Sequence, residues 1–495
     1  MRTQDQLGDR RMLIDGQLVE TRSGATFDNV NPATEEVLGV TTDAGADDMD
    51  RAIGAARRVF DQASWATDHE FRRRCLLQLH EALQGEREAF RPELIAEAGV
   101  PVMATYGPQL DWPLDEAIRW PAEQISTFPW ERTLPDSEAF GMTSHRLVWK
   151  EAVGVVGAIV PWNFPLEVTL GKVGAILATG NTMVLKPAPD TPWNATRLGR
   201  LIVEKTEIPP GVINIVPSSQ HVRGEELVLD PRVDMISFTG STAIGRRIAE
   251  LAAPQMKRLL LELGGKSAMV VLDDADFESV VPGVSLMCMH AGQGCALQTR
   301  LLVPRSRYDE AVELATDSFR QLGYGDPTDP MNMAGPLINA TQRDRVLAYI
   351  STGVAEGGRL TTGGGRPSHL DRGYFVEPTV FADVTNDMTI AREEIFGPVL
   401  AVIAYEDEAD AVRIANDNDY GLSGGIFSAD RDRAMGVARR IRTGSLMVNG
   451  GLFYGSDSPY GGYKASGVGR MNGIEGFEQH LQTKAVGFTD GVDDD

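Results

Sequence analysis

One cysteine of this chain lies in the run Gly292-Gln293-Gly294-Cys295-Ala296. A short glycine-flanked segment is poor packing material and presents a nucleophile well. A thiolate attacks carbonyl carbon readily, and a backbone amide beside the sulfur can stabilise the oxyanion that results. The competing reading is a small buried apolar residue, so the assignment rests on the company Cys295 keeps. Glu262 lies in Leu261-Glu262-Leu263-Gly264-Gly265-Lys266, where an apolar strand runs into glycines. A carboxylate so flanked can have a raised pKa suited to general-base work, or it can end a strand in a salt bridge. Asn163, in Pro161-Trp162-Asn163-Phe164-Pro165-Leu166, offers an amide donor for an oxyanion, or an Asx-type turn. Phe238-Thr239-Gly240-Ser241-Thr242-Ala243-Ile244-Gly245 combines a strand end, a tight turn and a helix start, a junction that points N–H groups at an anion such as a pyrophosphate. Its glycines are five apart, so it is not a GxGxxG fingerprint, and a plain N-cap at Ser241 or Thr242 explains it equally well. Lys186 precedes Pro187-Ala188-Pro189-Asp190-Thr191-Pro192 at a strand's carboxyl end, where α/β sheets bind nucleotides; its bland reading is a solvated turn lysine.

These residues need a scaffold, and the apolar pattern supplies one. Met12 to Val19 reads as two short strands around an Asp-Gly turn. From Asp47 to about Gly99 the apolar residues recur near a 3.6 period and predict helices. Between Ala152 and Leu272 apolar strands (155–160, 181–185, 212–216, 235–238 and 259–263) alternate with helical stretches (196–204 and 243–251), as in a parallel sheet covered on both faces. A second alternation runs from Ala268 to about Tyr454, with strands at 268–272, 300–303, 399–404 and 445–448 and helices at 308–322 and 409–416. His145 to Lys150 reads as an edge strand or arm. Gln482 to Phe488 is a strand without a nearby hairpin partner, so it must pair elsewhere, on another subunit for example. An acidic tail, Asp490 to Asp495, follows.

Composition excludes several classes. A chain of 495 residues with 42% hydrophobic residues and 52 glycines suits a large α/β enzyme of two or three domains. Its 70 acidic against 47 basic residues, a net charge of −23, repel phosphodiester backbones and anionic lipid, so neither nucleic acid nor membrane is an expected partner. Three cysteines, Cys75, Cys288 and Cys295, cannot all pair, which suits a reducing compartment. Met1 to Gln6 carry no apolar run of a signal peptide, and the longest apolar stretch, Val153 to Val160, is far below the roughly 20 residues that cross a bilayer. A soluble, cytoplasmic protein is expected. Cys288 and His290 fit no zinc template, so no metal is expected.

Taken together the motifs resemble the aldehyde dehydrogenase superfamily over nearly the whole chain: PWNFPL (161–166), KPAPDTP (186–192), FTGSTAIG (238–245), LELGGKS (261–267), GQGC (292–295), EEIFGPV (393–399), NDNDYGL (416–422) and PYGGYKASGVGR (459–470) stand in the family's order. The resemblance implies an α/β fold with a Rossmann-like coenzyme-binding domain (1–130 and 151–262) and a second α/β catalytic domain (263–454). It further implies a small β oligomerisation arm (131–150 and 472–495) and a linking segment (455–471). It implies Cys295 as nucleophile, Glu262 as general base, Asn163 as oxyanion donor and Lys172 behind them. Coenzyme contacts would come from Ile159, Val160, Pro161, Trp162, Lys186, Gly240, Ser241, Ile244, Leu263, Glu394 and Phe396, with Glu394 on the nicotinamide ribose. Substrate would be walled by Phe164, Glu167, Gly171, Gly294, Ala296, Leu452, Tyr454 and Tyr460.

The implied reaction oxidises an aldehyde to a carboxylic acid through a cysteine thioester hydrolysed by water, since the family's coenzyme-A-acylating members usually lack the base. NAD is the expected coenzyme and NADP the alternative, because Pro189 replaces a glutamate that grips the adenosine ribose in many NAD-preferring members. Met471 replaces the usual acidic residue after Arg470. Gly171, where many relatives hold a bulky aromatic, implies a wide tunnel, and Glu167 adds a negative charge to it. A medium-to-bulky apolar or aromatic aldehyde is the expected substrate. The alternatives are an aminoaldehyde or semialdehyde, a coenzyme-independent thiol esterase, and a catalytically silent scaffold. A homodimer or homotetramer is expected.

Overall fold

The computed structural model describes residues 7–489. The N-terminal run 1–6 and the acidic tail 490–495 lie outside the described residues. Met12–Ile14 and Gln17–Val19 pair around Asp15 and Gly16, both at positive φ (52° and 74°), the turn geometry that matches strand twist. Three helices follow, Ala46–Gln62, His69–Gly85 and Arg87–Ala98. The first buries Ala52, Ile53, Ala56 and Val59, and Gly99 caps the third in the left-handed region.

The first sheet has eight strands in the order Gly467–Val468, Arg258–Glu262, Met235–Thr239, Val155–Ile159, Thr182–Lys186, Ile213–Ile215, Met12–Ile14 and Gln17–Val19. Its five central strands are parallel. The chain moves outward from Val155–Ile159 through the next two strands, then returns to that strand's other side for Met235–Thr239. Strand order therefore reverses between Val155–Ile159 and Met235–Thr239, and the crevice beyond their carboxyl ends is where open α/β sheets take ligands. Apolar clusters cover both faces. Leu166, Leu170 and Leu198 belong to one, and Met49, Ile53 and Ile248 to the other.

A second sheet of seven strands runs Arg359–Thr362, Thr379–Ala382, Val399–Tyr405, Gln298–Pro304, Ser267–Val271, Gly424–Phe427 and Met447–Val448, parallel except at Arg359–Thr362. Two further clusters, one around Phe381 and Ile403 and one around Phe277 and Phe319, pack its faces. Four residues (263–266) join the last parallel strand of the first sheet to the second.

Glu131–Ala139, Met142–Ala152 and Leu481–Phe488 form a separate antiparallel sheet. Two expectations change here. The 145–150 segment is the central strand of this sheet rather than an edge. The terminal strand finds its partner within the same chain, in register from Leu481 opposite Ala152 to Phe488 opposite His145. Among the described residues no helix is long and apolar enough to cross a membrane.

Candidate active site

The segment carrying Cys295 is held by its backbone. His290, Ala291 and Gly292 take left-handed φ values of 52°, 56° and 73° in succession. Gly292 is required there, because a Cβ would stand 2.3 Å from the Gly397 carbonyl oxygen. Gln293 then locks the loop. Its amide donates to His290 and Pro336 carbonyls at 3.0 and 3.2 Å, and its side-chain oxygen accepts from the Ile338 N–H at 2.9 Å. The Gln293 carbonyl accepts from Asn163 Nδ2 at 2.7 Å, and the Asn163 carbonyl accepts from Gln109 Nε2 at 3.0 Å. Asn163 is thus fixed beside the cysteine loop with one amide hydrogen used and the other free to donate elsewhere. Cys75 and Cys288 are buried, whereas Cys295 is half-buried. Among the described residues no cluster of three or more His, Cys, Asp or Glu could hold a metal; His290 packs edge-on against Phe164, ring centres 6.1 Å apart.

Glu262 ends its strand, and the glycine pair after it lets the chain press against the cysteine loop: a Cβ on Gly265 would lie 2.6 Å from the Cys295 carbonyl oxygen. Glu262 is 2% exposed, and neither carboxylate oxygen has a hydrogen-bond partner. Burial raises its pKa well above the ordinary carboxylate range, and the Lys172 charge opposes the rise. Lys172, on the helix Pro165–Ala178, donates to Ser237 Oγ at 2.8 Å. Burial depresses its pKa to about 7, against the pull of Glu262 and Glu167. The Cys295 thiol is also pushed up, first by burial and then by the Glu262 charge. Tyr460 Oη lies 3.2 Å from Cys295 Sγ.

The coenzyme candidates gather at the carboxyl ends of the first sheet. Ile159, Val160, Pro161 and Trp162 leave the strand Val155–Ile159, and Gly240 and Ser241 leave Met235–Thr239, on the two sides of the crevice. Ser241 caps the helix Thr242–Ala252, and Ile244 in its first turn is 51% exposed. Gly245 has no room for a side chain, since a Cβ would meet Leu263 Cδ2 at 2.5 Å. Across the crevice Trp162 stands edge-on to Phe396 at 5.5 Å. Glu394 Oε1 accepts from the Gly265 N–H at 3.0 Å, and its other oxygen lies where a Gly264 Cβ would be, 2.2 Å away. Burial raises the Glu394 pKa to about 7. Lys186 Nζ donates to the Ser218 carbonyl at 3.1 Å. A helix N-terminus, a lysine and a carboxylate over a glycine pair form the donor and acceptor set a dinucleotide needs, so these residues fit one. Asp190, next to Pro189, accepts from Asn339 Nδ2 at 2.9 Å.

The wall residues differ more from expectation. Tyr454 and Tyr460 stack edge-to-face at 5.6 Å. Leu452 is 71% exposed, on the loop that follows Met447–Val448. The space at Gly171 is not simply open: Met471 Cε lies 3.5 Å from where a Cβ would stand. Glu167 is not a fixed negative charge, because burial raises its pKa to about 8 against the Lys172 charge and keeps it mostly protonated at neutral pH. Gly294 and Ala296 flank the thiol, and a Cβ on Gly294 would crowd Leu297 at 2.9 Å. Sequence reasoning missed Gln293 and Gln109 as the anchors of Asn163, although Gln293 lies inside the GQGC run. It also placed Tyr460 only as a wall, without its hydroxyl on the sulfur.

Comparisons with known proteins show the family of the chain. The aldehyde dehydrogenase family profile matches residues 18–486. A 3-succinoylsemialdehyde-pyridine dehydrogenase of a Pseudomonas species is 41% identical over 480 residues, covering 96% of this chain and 98% of the relative. A geranial dehydrogenase of Castellaniella defragrans is 39% identical over 480 residues, with the same coverage of 96% and 98%. Among solved structures, a Mycobacterium tuberculosis aldehyde dehydrogenase complexed with NAD+ superposes with a TM-score of 0.92 at 41% identity, covering 97% of this chain and 98% of that one. A mutant of aldehyde dehydrogenase C from Pseudomonas syringae, complexed with NAD+ and octanal, gives a TM-score of 0.90 at 37% identity over 96% of both chains. The chain is an α/β oxidoreductase and belongs to the aldehyde dehydrogenase family.

Proposed function

We propose that this protein oxidises medium-to-bulky apolar or aromatic aldehydes to carboxylic acids with NAD as coenzyme, using Cys295 as nucleophile and Glu262 as base. The observation that carries the reading is the convergence at one half-buried thiol. Asn163 is anchored to the loop of Cys295, and an unpartnered buried carboxylate stands at the end of the adjoining strand. Cys295 Sγ adds to the carbonyl carbon. The free Asn163 amide hydrogen and the Cys295 backbone N–H donate to the oxyanion, which lowers the barrier to the tetrahedral adduct. Glu394, Lys186, Trp162, Phe396 and the Gly240-Ser241 helix start would hold NAD, which supplies the hydride acceptor. Once the adduct has become a thioester, Glu262 takes a proton from water, and the hydroxide releases the acid from the sulfur.

The aromatic wall of Phe164, Tyr454 and Tyr460 and a mostly protonated Glu167 favour uncharged apolar substrates over cationic or dicarboxylic ones. The names of two relatives, which include geranial and octanal, support that class. The first sheet and its helices serve as the coenzyme domain and the second sheet as the catalytic domain. The three-stranded sheet, with Phe140 99% exposed and Phe488 47% exposed, serves as an oligomerisation arm of a dimer or tetramer. The test is a panel of benzaldehyde, octanal, succinic semialdehyde and an aminoaldehyde run with NAD and NADP, following reduced nicotinamide. Higher kcat/KM for octanal or benzaldehyde with NAD is expected, and complete loss of turnover in Cys295→Ala. Preference for the semialdehyde, or turnover without Cys295, would refute it.

A further inference from the structure

Four neighbouring strands of the second sheet, Gln298–Pro304, Ser267–Val271, Gly424–Phe427 and Met447–Val448, run parallel, so their amino ends lie on one side. A cavity of about 20 Å3 is lined from those ends, above the roughly 10–15 Å3 that one water-sized guest needs. Lys266 and Ser267 line it at the start of one strand, Arg300 from the next, Ser423 before the third and Thr443 before the fourth. The exposed Arg442 lines it too, and no aspartate or glutamate does so among the described residues. In a chain of net charge −23 that is an unusual wall.

The groups around this space are short of partners. Lys266 is 2% exposed and Ser267 and Ser423 4% each, and neither the ammonium nor either hydroxyl has a protein hydrogen-bond partner. The Thr443 hydroxyl is likewise buried and unpartnered. Arg300 Nε donates to the Lys266 carbonyl at 3.0 Å, Nη1 to Asn386 Oδ1 at 3.0 Å and the Ile414 carbonyl at 3.2 Å, and Nη2 to the Ala415 carbonyl at 3.2 Å. One of its five N–H hydrogens is left over. The acids that act on these cations, Glu394 and Glu393 on Lys266 and Asp417 on Arg300, do not line the cavity, and the Arg392 charge adds to that of Arg300. A buried ammonium without a partner is costly. Burial, reinforced by the Arg300 charge, lowers the Lys266 pKa to about 7. The guest that relieves this most carries the opposite charge and only accepts hydrogen bonds.

We propose that the cavity is an anion site for one chloride ion, held by the Lys266 ammonium, the spare Arg300 N–H and the Ser267, Ser423 and Thr443 hydroxyls. The ion offsets two buried cations. It also ties Lys266, which follows the Glu262 strand, to the strand that leaves the Cys295 loop. A water molecule satisfies the hydroxyls but leaves the charge unpaired, and an organic anion such as gluconate is too large for the space.

The test compares thermal unfolding in sodium chloride and sodium gluconate at equal ionic strength, so that screening of the acidic surface is the same in both. Beside it, anomalous scattering locates bromide in crystals soaked with sodium bromide. The unmodified protein is expected to unfold about 2–3 °C higher in chloride at a hundredfold excess over the dissociation constant, and bromide to give a peak in the cavity. Lys266→Met keeps the aliphatic stem and removes the charge; its midpoint is expected to be the same in both salts, with no bromide peak. Ser423→Ala, a smaller change, is expected to weaken chloride binding about fivefold. Equal midpoints for the unmodified protein, with no bromide in the cavity, would show a water there and overturn the proposal. Bromide in the crystal without chloride dependence in solution would mark an adventitious ion only, and overturn it equally. A chloride effect that both variants retain in full would place the ion elsewhere.

Discussion

Lys172 is the charge that opposes the burial of Glu262, and it is itself only partly charged near neutrality. A cation stabilises the carboxylate and so lowers its pKa; removing it leaves burial unopposed. On the mechanism proposed above, a base with a raised pKa is protonated and idle at low pH, so kcat is expected to rise with pH as Glu262 ionises, wherever thioester hydrolysis limits turnover. In Lys172→Met the acid limb of the pH–kcat profile is expected to move upward by on the order of one unit. The loss should be largest below pH 7, where the lysine is charged, and small on the alkaline side. A uniform loss at every pH would assign Lys172 a purely structural role through Ser237. At this scale the sequence showed which residue types meet, because Cys295, Glu262 and Asn163 each sit in a distinctive local run. It could not show the state they are in. The protonation of Glu167 depends on burial, and the contact between Tyr460 and the sulfur joins positions 165 residues apart.

The loop before the thiol shows how an element positions a residue it does not touch. Three consecutive left-handed residues, His290 to Gly292, turn the chain so that Gly292 lies against the Gly397 carbonyl, one residue beyond Phe396 and three beyond Glu394. Gly292→Ala meets two penalties, an alanine at positive φ and a Cβ driven toward backbone. The first alone costs about 1–2 kcal/mol, and the backbone contact adds to it because neither strand of chain is free to withdraw. A thermal midpoint lowered by several degrees is expected, together with a raised KM for NAD as the Glu394–Phe396 segment shifts. An unchanged midpoint and KM would mean that the loop yields without consequence. Elements with strong periodicity were legible, including the parallel strands of the first sheet. The strand Gly424–Phe427 was not, because two glycines hide it; tertiary packing decides it, with a Gly424 Cβ 2.9 Å from Leu446. The helix Ala340–Ala355 was equally hidden, since it buries only Val346, Ile350 and Gly353, too few to mark a face.

For the whole molecule, the telling feature is a three-stranded sheet that stands on little of either core. Three strands need a covered face to be stable in water, yet Leu481–Phe488 shows one buried position, Leu481, and Glu131–Ala139 shows none. That imbalance, together with a long edge strand of the kind that recruits other chains, is the physical case for a second subunit against it. Pairing distance explains why sequence alone left the terminal strand unplaced: Gln482 lies opposite Glu151, 331 residues away. Deleting residues 482–495 tests the assembly without opening the core. Leu481 remains packed, and the His480 carbonyl keeps its bonds from Asn181 Nδ2 at 2.9 Å and the Val153 N–H at 3.2 Å. The strand Met142–Ala152 loses seven of its register partners on that side, so the sheet that would meet a neighbour is cut to its Glu131–Ala139 and Met142–Ala152 hairpin while both larger sheets persist. Light scattering after gel filtration is expected to report a smaller assembly than the intact protein, with Cys295 still alkylated by iodoacetamide. An intact enzyme that is already monomeric, or a truncated one that keeps its full assembly, would remove the arm from that role.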